Sequence, residues 1–325
     1  MKLFDAHCHL QEPRIFHKAP QLIASAIDSG VVRFAVNGVS ELDWPLVKQM
    51  GESHHPHIVP CFGLHPWYVA DRTPNWLKQS FDSTPSAAVG EIGLDKGKKM
   101  GDFTDQVHVF RQQLELAKEL KRPASIHCVR AFGDLLEIMR YLGPFPEGFI
   151  LHSYLGSAEM VPQFANLGGY FSFSGFLMSM KTSKAKRMVK AVPFDRILLE
   201  TDAPDALPKS QEESEPPLQP VEGHASLNHR ANIHNVLLYV ASLLEMDKEE
   251  VAEASYQNAK QSPSCSSEES AAGHRDDILS LAIHMSEEVC GLLNLQNPTT
   301  VPKTFHLKIQ LIKSWVVMTT GNHNL

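Results

Sequence analysis

Two histidines stand two residues apart in Asp5-Ala6-His7-Cys8-His9, directly after the apolar pair Leu3-Phe4. In an extended strand alternate side chains share a face, so His7 and His9 are expected to point together with Asp5, and Ala6 and Cys8 to point away. Two imidazoles then reach one spot, as a metal site requires, although two satisfied polar histidines at a strand end have the same pattern. The choice turns on whether acids and further histidines recur at other strand ends, because a metal draws its ligands from several segments.

They recur. Gly63-Leu64-His65-Pro66-Trp67 follows an apolar run, with glycine admitting a close backbone approach and proline stiffening the loop that displays His65. Val89-Gly90-Glu91-Ile92-Gly93-Leu94-Asp95 places Glu91 inside an apolar strand, where an unpaired carboxylate costs several kcal/mol to desolvate and so demands cationic company. A buried Arg or Lys would serve, but two bound cations fit better, one for each oxygen. Pro123-Ala124-Ser125-Ile126-His127 and Phe149-Ile150-Leu151-His152 each end an apolar run on a histidine, and Leu199-Glu200-Thr201-Asp202 carries Asp202 out of another. Four imidazoles and two carboxylates result: His7, His9, Glu91, His127, His152 and Asp202. Mixed nitrogen and oxygen ligation suits Zn²⁺, Mn²⁺ or a similar ion, with Mg²⁺ less favoured by four histidines.

These residues need elements to hold them. Strands are expected at Leu3–Cys8, Val31–Gly38, His57–Phe62, Ala87–Ile92, Pro123–His127, Phe149–His152, Tyr170–Phe173 and Arg196–Glu200. Amphipathic helical stretches lie between them, such as Phe103, Val107, Phe110, Leu114, Ala117 and Leu120, and Thr73-Pro74 reads as a helix start. Eight strand–helix repeats imply an α/β fold of parallel strands with right-handed crossovers, either a closed (β/α)8 TIM barrel or an open doubly wound sheet. The barrel is preferred because every chemical residue falls at a C-terminal strand end, and its closure would set Asp202 beside His7 and His9.

With 325 residues, 43 % of them hydrophobic and 21 % charged, the chain can bury a sizeable core. A formal charge of −7 and a pI near 6.2 argue against a broad basic surface for nucleic acid. A local rim of Lys96, Lys98, Lys99, Lys181, Lys184, Lys186 and Arg187, or bound cations, would have to supply positive charge. Five cysteines without a framework spacing, an N-terminus without an apolar signal region and no long apolar run imply a reducing, intracellular location, cytoplasmic and/or nuclear, without a membrane segment. The strand–helix pattern occupies residues 1–259. Residues 260–325 open with a Ser-rich linker and continue with a helical stripe from Ile278 to Leu293 and an alternating Phe305–Leu311, too little to bury much surface, so this tail is expected to be largely disordered.

Taken together, Asp5-x-His7-x-His9, Gly63-x-His65-Pro66, Gly90-Glu91-Ile92-Gly93-Leu94-Asp95, Pro123-x-x-Ile126-His127, His152 and Glu200-Thr201-Asp202-Ala203-Pro204 resemble the TatD family of metal-dependent deoxyribonucleases. The resemblance implies an amidohydrolase-like TIM barrel with two divalent ions bridged by Glu91. His7, His9 and Asp202 would hold one ion, and His127 and His152 the other. Asp202 would orient or deprotonate the attacking water and His65 would face the scissile phosphate of a DNA substrate, single-stranded or damaged at its end. A 3'-5' exonuclease or abasic-site nuclease is implied. Asp205 and Asn228-His229-Arg230-Ala231 depart from the family's usual residues, which bears on substrate choice. Two other functions are compatible with such a centre: a metal-dependent deacylase or amidohydrolase, such as one acting on mischarged tRNA, and a non-enzymatic metal-binding scaffold. Absence of a lysine at the Glu91 position disfavours centres built on carbamylated lysine.

Overall fold

Apolar runs of three to eight residues become the strands of one parallel sheet in the computed structural model, which describes residues 1–73, 78–97, 101–209 and 219–261. The strands are β1 (Leu3–Cys8), β2 (Val31–Gly38), β3 (Ile58–Phe62), β4 (Ala88–Asp95), β5 (Ala124–Val129), β6 (Phe149–Leu151), β7 (Gly169–Phe173) and β8 (Ile197–Leu199), paired in that order. Helices run between them: α1 (Ala19–Asp28), α2 (Trp44–Ser53), α3 (Lys78–Asp82), α4 (Phe103–Leu120), α5 (Phe132–Leu142), α6 (Val161–Asn166) and α7 (Thr182–Ala191). After β8 come a short hairpin of β9 (Pro220–Val221) and β10 (His224–Asn228), then α8 (Ile233–Leu244) and α9 (Lys248–Gln261).

The eight expected strands all form, and the sheet curls into a nearly closed (β/α)8 barrel rather than an open one. β8 meets β1 through individual bonds. The Asp202 N–H donates to the His7 carbonyl at 2.9 Å and the His9 N–H to the Ala203 carbonyl at 2.8 Å. Beneath them the Asp5 carboxylate accepts the Thr201 N–H at 2.8 Å and the Thr201 hydroxyl at 2.6 Å. Burial pushes the Asp5 carboxyl up to about 7 against these bonds.

Asp5 therefore does not share a direction with His7 and His9, which corrects the simple alternation. Phe4 and Ala6 pack in the barrel interior with Ala35, Val59, Ala88 and Leu198, whereas Cys8 joins the layer between strands and helices. A register shift against β2 between Asp5 and Cys8 resets the pleat and turns His7 inward. Ala259 of α9 closes the interior cluster from one side. The helix start read at Thr73-Pro74 and the tail features after residue 261 lie outside the described residues. Among the described residues no helix is long and apolar enough to cross a membrane.

Candidate metal centre

Glu91 sits in β4 and is 3 % exposed. Two close approaches put it there. A Cβ on Gly93, whose φ is +148°, would lie 1.9 Å from the His127 carbonyl oxygen, and a Cβ on Gly63 would lie 2.5 Å from the Gly90 carbonyl carbon. Only glycine allows β3, β4 and β5 to come this close and deliver their side chains to one point.

Five imidazoles surround the carboxylate, and they divide between its two oxygens. Oε2 lies 3.5 Å from Nε2 of both His7 and His9. Oε1 lies 2.8 Å from His152 Nε2, 3.0 Å from His127 Nδ1 and 3.4 Å from His65 Nε2. Asp202 Oδ1 completes the first side, 3.5 Å from His9 Nε2 and 4.0 Å from His7 Nε2. Asp202 takes a left-handed φ of +51°, which its short polar side chain tolerates and which turns the carboxylate into the mouth.

An ion held at about 2.0–2.2 Å by nitrogen and oxygen keeps its ligand atoms about 2.8–3.6 Å apart. Most of these separations, and the 3.3 Å between Nε2 of His7 and His9 and the 3.2 Å between His127 Nδ1 and His152 Nε2, fall in that range. Among the described residues, three sets have ligand atoms within 4.8 Å of one another: His7, Glu91 and His152; His7, His9 and Asp202; and His65, Glu91 and His127.

The outer ring nitrogens decide which way the lone pairs face. His9 Nδ1 bonds the Asn37 carbonyl at 2.8 Å, so it is protonated and Nε2 is the atom turned toward Glu91 and Asp202. His7 Nδ1 lies 2.9 Å from the Ser125 hydroxyl, and His127 Nε2 is 3.2 Å from Asp95 Oδ2. Such outer partners fix tautomer and ring orientation at metal sites. His65 is the reverse case. Its Nδ1 accepts the Trp67 N–H at 3.2 Å, so in the neutral ring Nε2 carries the proton aimed at Glu91. Burial draws His65 down to about 4.

Electrostatics follow from one carboxylate among many rings. Burial alone would raise the Glu91 carboxyl, yet His65, His152 and His7 hold it well below the usual range. Burial opposes a charged His9 as well, but Asp202 and Glu91 push it up to about 9. His152 is raised well above an ordinary histidine by Glu91, against its burial, and His127 is raised by Asp95 and Glu91. Protons thus occupy places that a cation would take, and cation binding would release them.

All seven residues singled out from the sequence, His7, His9, His65, Glu91, His127, His152 and Asp202, converge here. The residues that orient them were not singled out. Asp95, now at the end of an extended β4, accepts from the Trp67 indole at 2.7 Å and the Gly97 N–H at 2.6 Å as well as facing His127. Burial would raise its carboxyl, but these bonds bring it to about 2. Glu200 is fully buried, accepts both the N–H and hydroxyl of Ser153 at 2.7 Å and the hydroxyl of Ser172, and faces His152 Nδ1 at 3.7 Å. On α4, Gln106 bonds the Asp95 backbone and Gln113 the Leu64 backbone, fixing the β4 end and the His65 loop. Their seven-residue spacing on the buried stripe of α4 was the available signal.

Of the expected basic rim, Lys181 and Lys184 are exposed, and three other members are paired with acids. Lys96 pairs with Asp134 at 2.6 Å, Lys186 with Glu245 at 2.6 Å and Arg187 with Glu159 at 2.6 Å, while Lys98 and Lys99 lie outside the described residues. Acids on neighbouring helices and loops neutralise those three cations.

The family described as TatD related DNase matches residues 4–262. An uncharacterised metal-dependent hydrolase of Bacillus subtilis, YabD, is 32 % identical over 79 % of this chain and 97 % of its own length. The 3'-5' ssDNA/RNA exonuclease TatD of a Pantoea species is 27 % identical over 64 % of this chain and 81 % of its own. In fold, the chain is similar to the Escherichia coli TatD homologue YJJV, with a TM-score of 0.71 at 24 % identity over 80 % of this chain and 97 % of that one. A TatD-family hydrolase of Entamoeba histolytica gives 0.73 at 18 % identity, covering 81 % and 98 %. The barrel, the buried histidine–carboxylate cluster able to bind metal and the match along residues 4–262 lead to one conclusion: the chain belongs to the TatD-related DNase family of metal-dependent hydrolases.

Proposed function

We propose that this protein is a divalent-metal-dependent nuclease that hydrolyses phosphodiester bonds of DNA, taking single-stranded or damaged ends. His7, His9, Glu91 and Asp202 would hold one ion, and Glu91, His127 and His152 a second, whether zinc, manganese or magnesium. The observation that carries the reading is the division of five imidazoles between the two oxygens of one buried carboxylate. Relatives named as 3'-5' ssDNA/RNA exonucleases support the substrate class.

Two divalent cations at such a centre supply charge neutralisation to the phosphate, acidify water and stabilise the attacking and leaving oxygens of an in-line displacement. The chain's own residues do the rest. Asp202, anchored by its N–H on the His7 carbonyl, accepts the proton of the attacking water at its carboxylate. His65, on the loop after β3 with its Nε2 3.4 Å from Glu91 Oε1, would face the scissile phosphate and would donate to a non-bridging oxygen once cations take up the Glu91 carboxylate. Asp95 keeps His127 in the tautomer that faces Glu91. Residues 1–259 would form the catalytic domain and 260–325 an appended tail. Free thiols at Cys8, Cys61 and Cys128 fit a reducing compartment, cytoplasm and/or nucleus.

The test is hydrolysis of single-stranded and abasic DNA after chelation and restoration of Mg²⁺, Mn²⁺ or Zn²⁺, beside Glu91→Ala. Metal-restored cleavage that the variant lacks supports the reading. A folded, metal-loaded protein that leaves both DNAs intact but releases the acyl group of a mischarged tRNA would replace it with a deacylase.

A further inference from the structure

Exposed apolar side chains gather at the end of the barrel that carries the metal centre. Apart from Met1 and Tyr141, every large apolar residue exposed by more than a third among the described residues lies on a strand-to-helix connection leaving a C-terminal strand end: Phe16, Leu42, Trp67, Tyr68, Leu155 and Phe176. Clustering of this kind marks a contact surface rather than the scatter of apolar residues that any protein surface shows.

Trp67 differs from the others in being both open and fixed. It is 54 % exposed, yet its indole N–H donates to Asp95 Oδ2 at 2.7 Å. Its ring stands edge-on to His65, with centroids 4.8 Å apart and planes at 82°, and 6.4 Å from His127. Pro66 precedes it in the loop. An indole oriented in advance presents its face without losing much rotamer freedom on binding. It does so one side chain away from His65, whose Nε2 points at Glu91.

Charge narrows the occupant. The protein carries −7, and Lys96, Lys186 and Arg187 are already paired with acids, which leaves Lys181 and Lys184 of the described rim to neutralise phosphate. Contact to bases must compensate. Every base has a π face, and that face is free for an aromatic side chain only where the base is unstacked.

We propose that Trp67 is the stacking platform for an unpaired base next to the scissile phosphate, so that the enzyme selects single-stranded ends through a base contact. This rests on the nuclease reading above and names a specificity-determining residue for it. A duplex interior, with its base faces covered, would find no equivalent contact.

The experiment uses two labelled single-stranded oligonucleotides of equal length, one fully based and one abasic at the two nucleotides of the cleaved end. Their kcat/KM values are compared on the metal-loaded full chain, Trp67→Phe and Trp67→Ala. The natural protein should prefer the based strand by about 5- to 150-fold, the range that one stacked base supplies. Trp67→Phe should keep most of that ratio and Trp67→Ala should bring it close to one. The ratio is the readout because loss of the indole donor to Asp95 slows both substrates alike. An equal ratio in all three proteins overturns the proposal.

A second measurement is independent of turnover. Thymidine 5'-monophosphate should quench intrinsic tryptophan fluorescence of the chelated protein, deoxyribose 5-phosphate should not, and the quenching should vanish in Trp67→Phe. Quenching that is absent, or unchanged in the variant, also overturns the platform. A natural protein that cleaves neither oligonucleotide defeats the nuclease reading instead, and the fluorescence result still decides whether Trp67 receives a base.

Discussion

Replacing Glu91 by glutamine tests whether this carboxylate holds cations or merely pairs buried histidines. Glutamine keeps the shape but removes the charge, and its amide nitrogen cannot ligate, so one of the two oxygens that face His7 and His9, or His127 and His152, is lost. A partner that only orients a ligand is worth about 10- to 100-fold in metal affinity, so loss of a direct ligand should cost at least about 100-fold. At an ion concentration of about 1,000 times Kd, binding stabilises the natural protein by about 4.1 kcal/mol. The same concentration is only about 10 times Kd for the variant and contributes about 1.4 kcal/mol. For a domain of this size about 1 kcal/mol moves Tm by about 2–4 °C. Addition of Mn²⁺ or Zn²⁺ to chelated protein should therefore raise Tm by about 8–16 °C in the natural chain and by about 3–6 °C in Glu91→Gln. The assay is thermal unfolding by circular dichroism with and without metal. An undiminished metal-induced rise in the variant, or no rise in the natural protein with any divalent ion, would refute the reasoning and leave Glu91 a structural ion-pair residue.

Three further outcomes follow from the same geometry. Asp95→Asn should lower metal affinity and turnover by about 10- to 100-fold, because His127 and the Trp67 indole lose a charged acceptor; calorimetric metal titration checks it. In the metal-free protein His9 is raised to about 9, so its contribution to stability is fully present below about 6.5 and is lost as pH climbs through about 9, and His127 and His152, also raised, act in the same direction. Chelated protein should thus melt lower at pH 9 than at pH 6, while metal-induced stabilisation grows over the same interval because fewer protons compete. Thr201→Val should remove the hydroxyl bonds to Asp5 and from the Ala203 N–H, costing about 1–3 kcal/mol and lowering Tm by about 2–12 °C at the β1–β8 junction; a scan in chelator separates this from any effect on metal.

The amino-acid sequence by itself determined the eight strands and where the chemistry leaves them. Runs such as Phe149-Ile150-Leu151 are apolar because both faces of a parallel strand are buried, and a histidine or carboxylate at the exit of such a run has nowhere to go but the barrel mouth. His7, His9, His65, Glu91, His127, His152 and Asp202 were legible for that reason. Tertiary structure alone decided how they are held. Asp5 turns to the β1–β8 junction because a register shift interrupts the alternation that local pattern predicts. Asp95 became an orienting group only when β4 and β5 came into register and brought it to His127, 32 residues on. Gln106 and Gln113 sit among apolar residues of α4 because backbone groups of Asp95 and Leu64 need partners there. Lys96 and Lys186, read as part of a basic rim, are spent on acids that share no sequence neighbourhood with them. Burial of a polar side chain depends on a partner distant along the chain, whereas an apolar stripe follows from local period, and so the frame and the ligands were in the sequence but their supports were not.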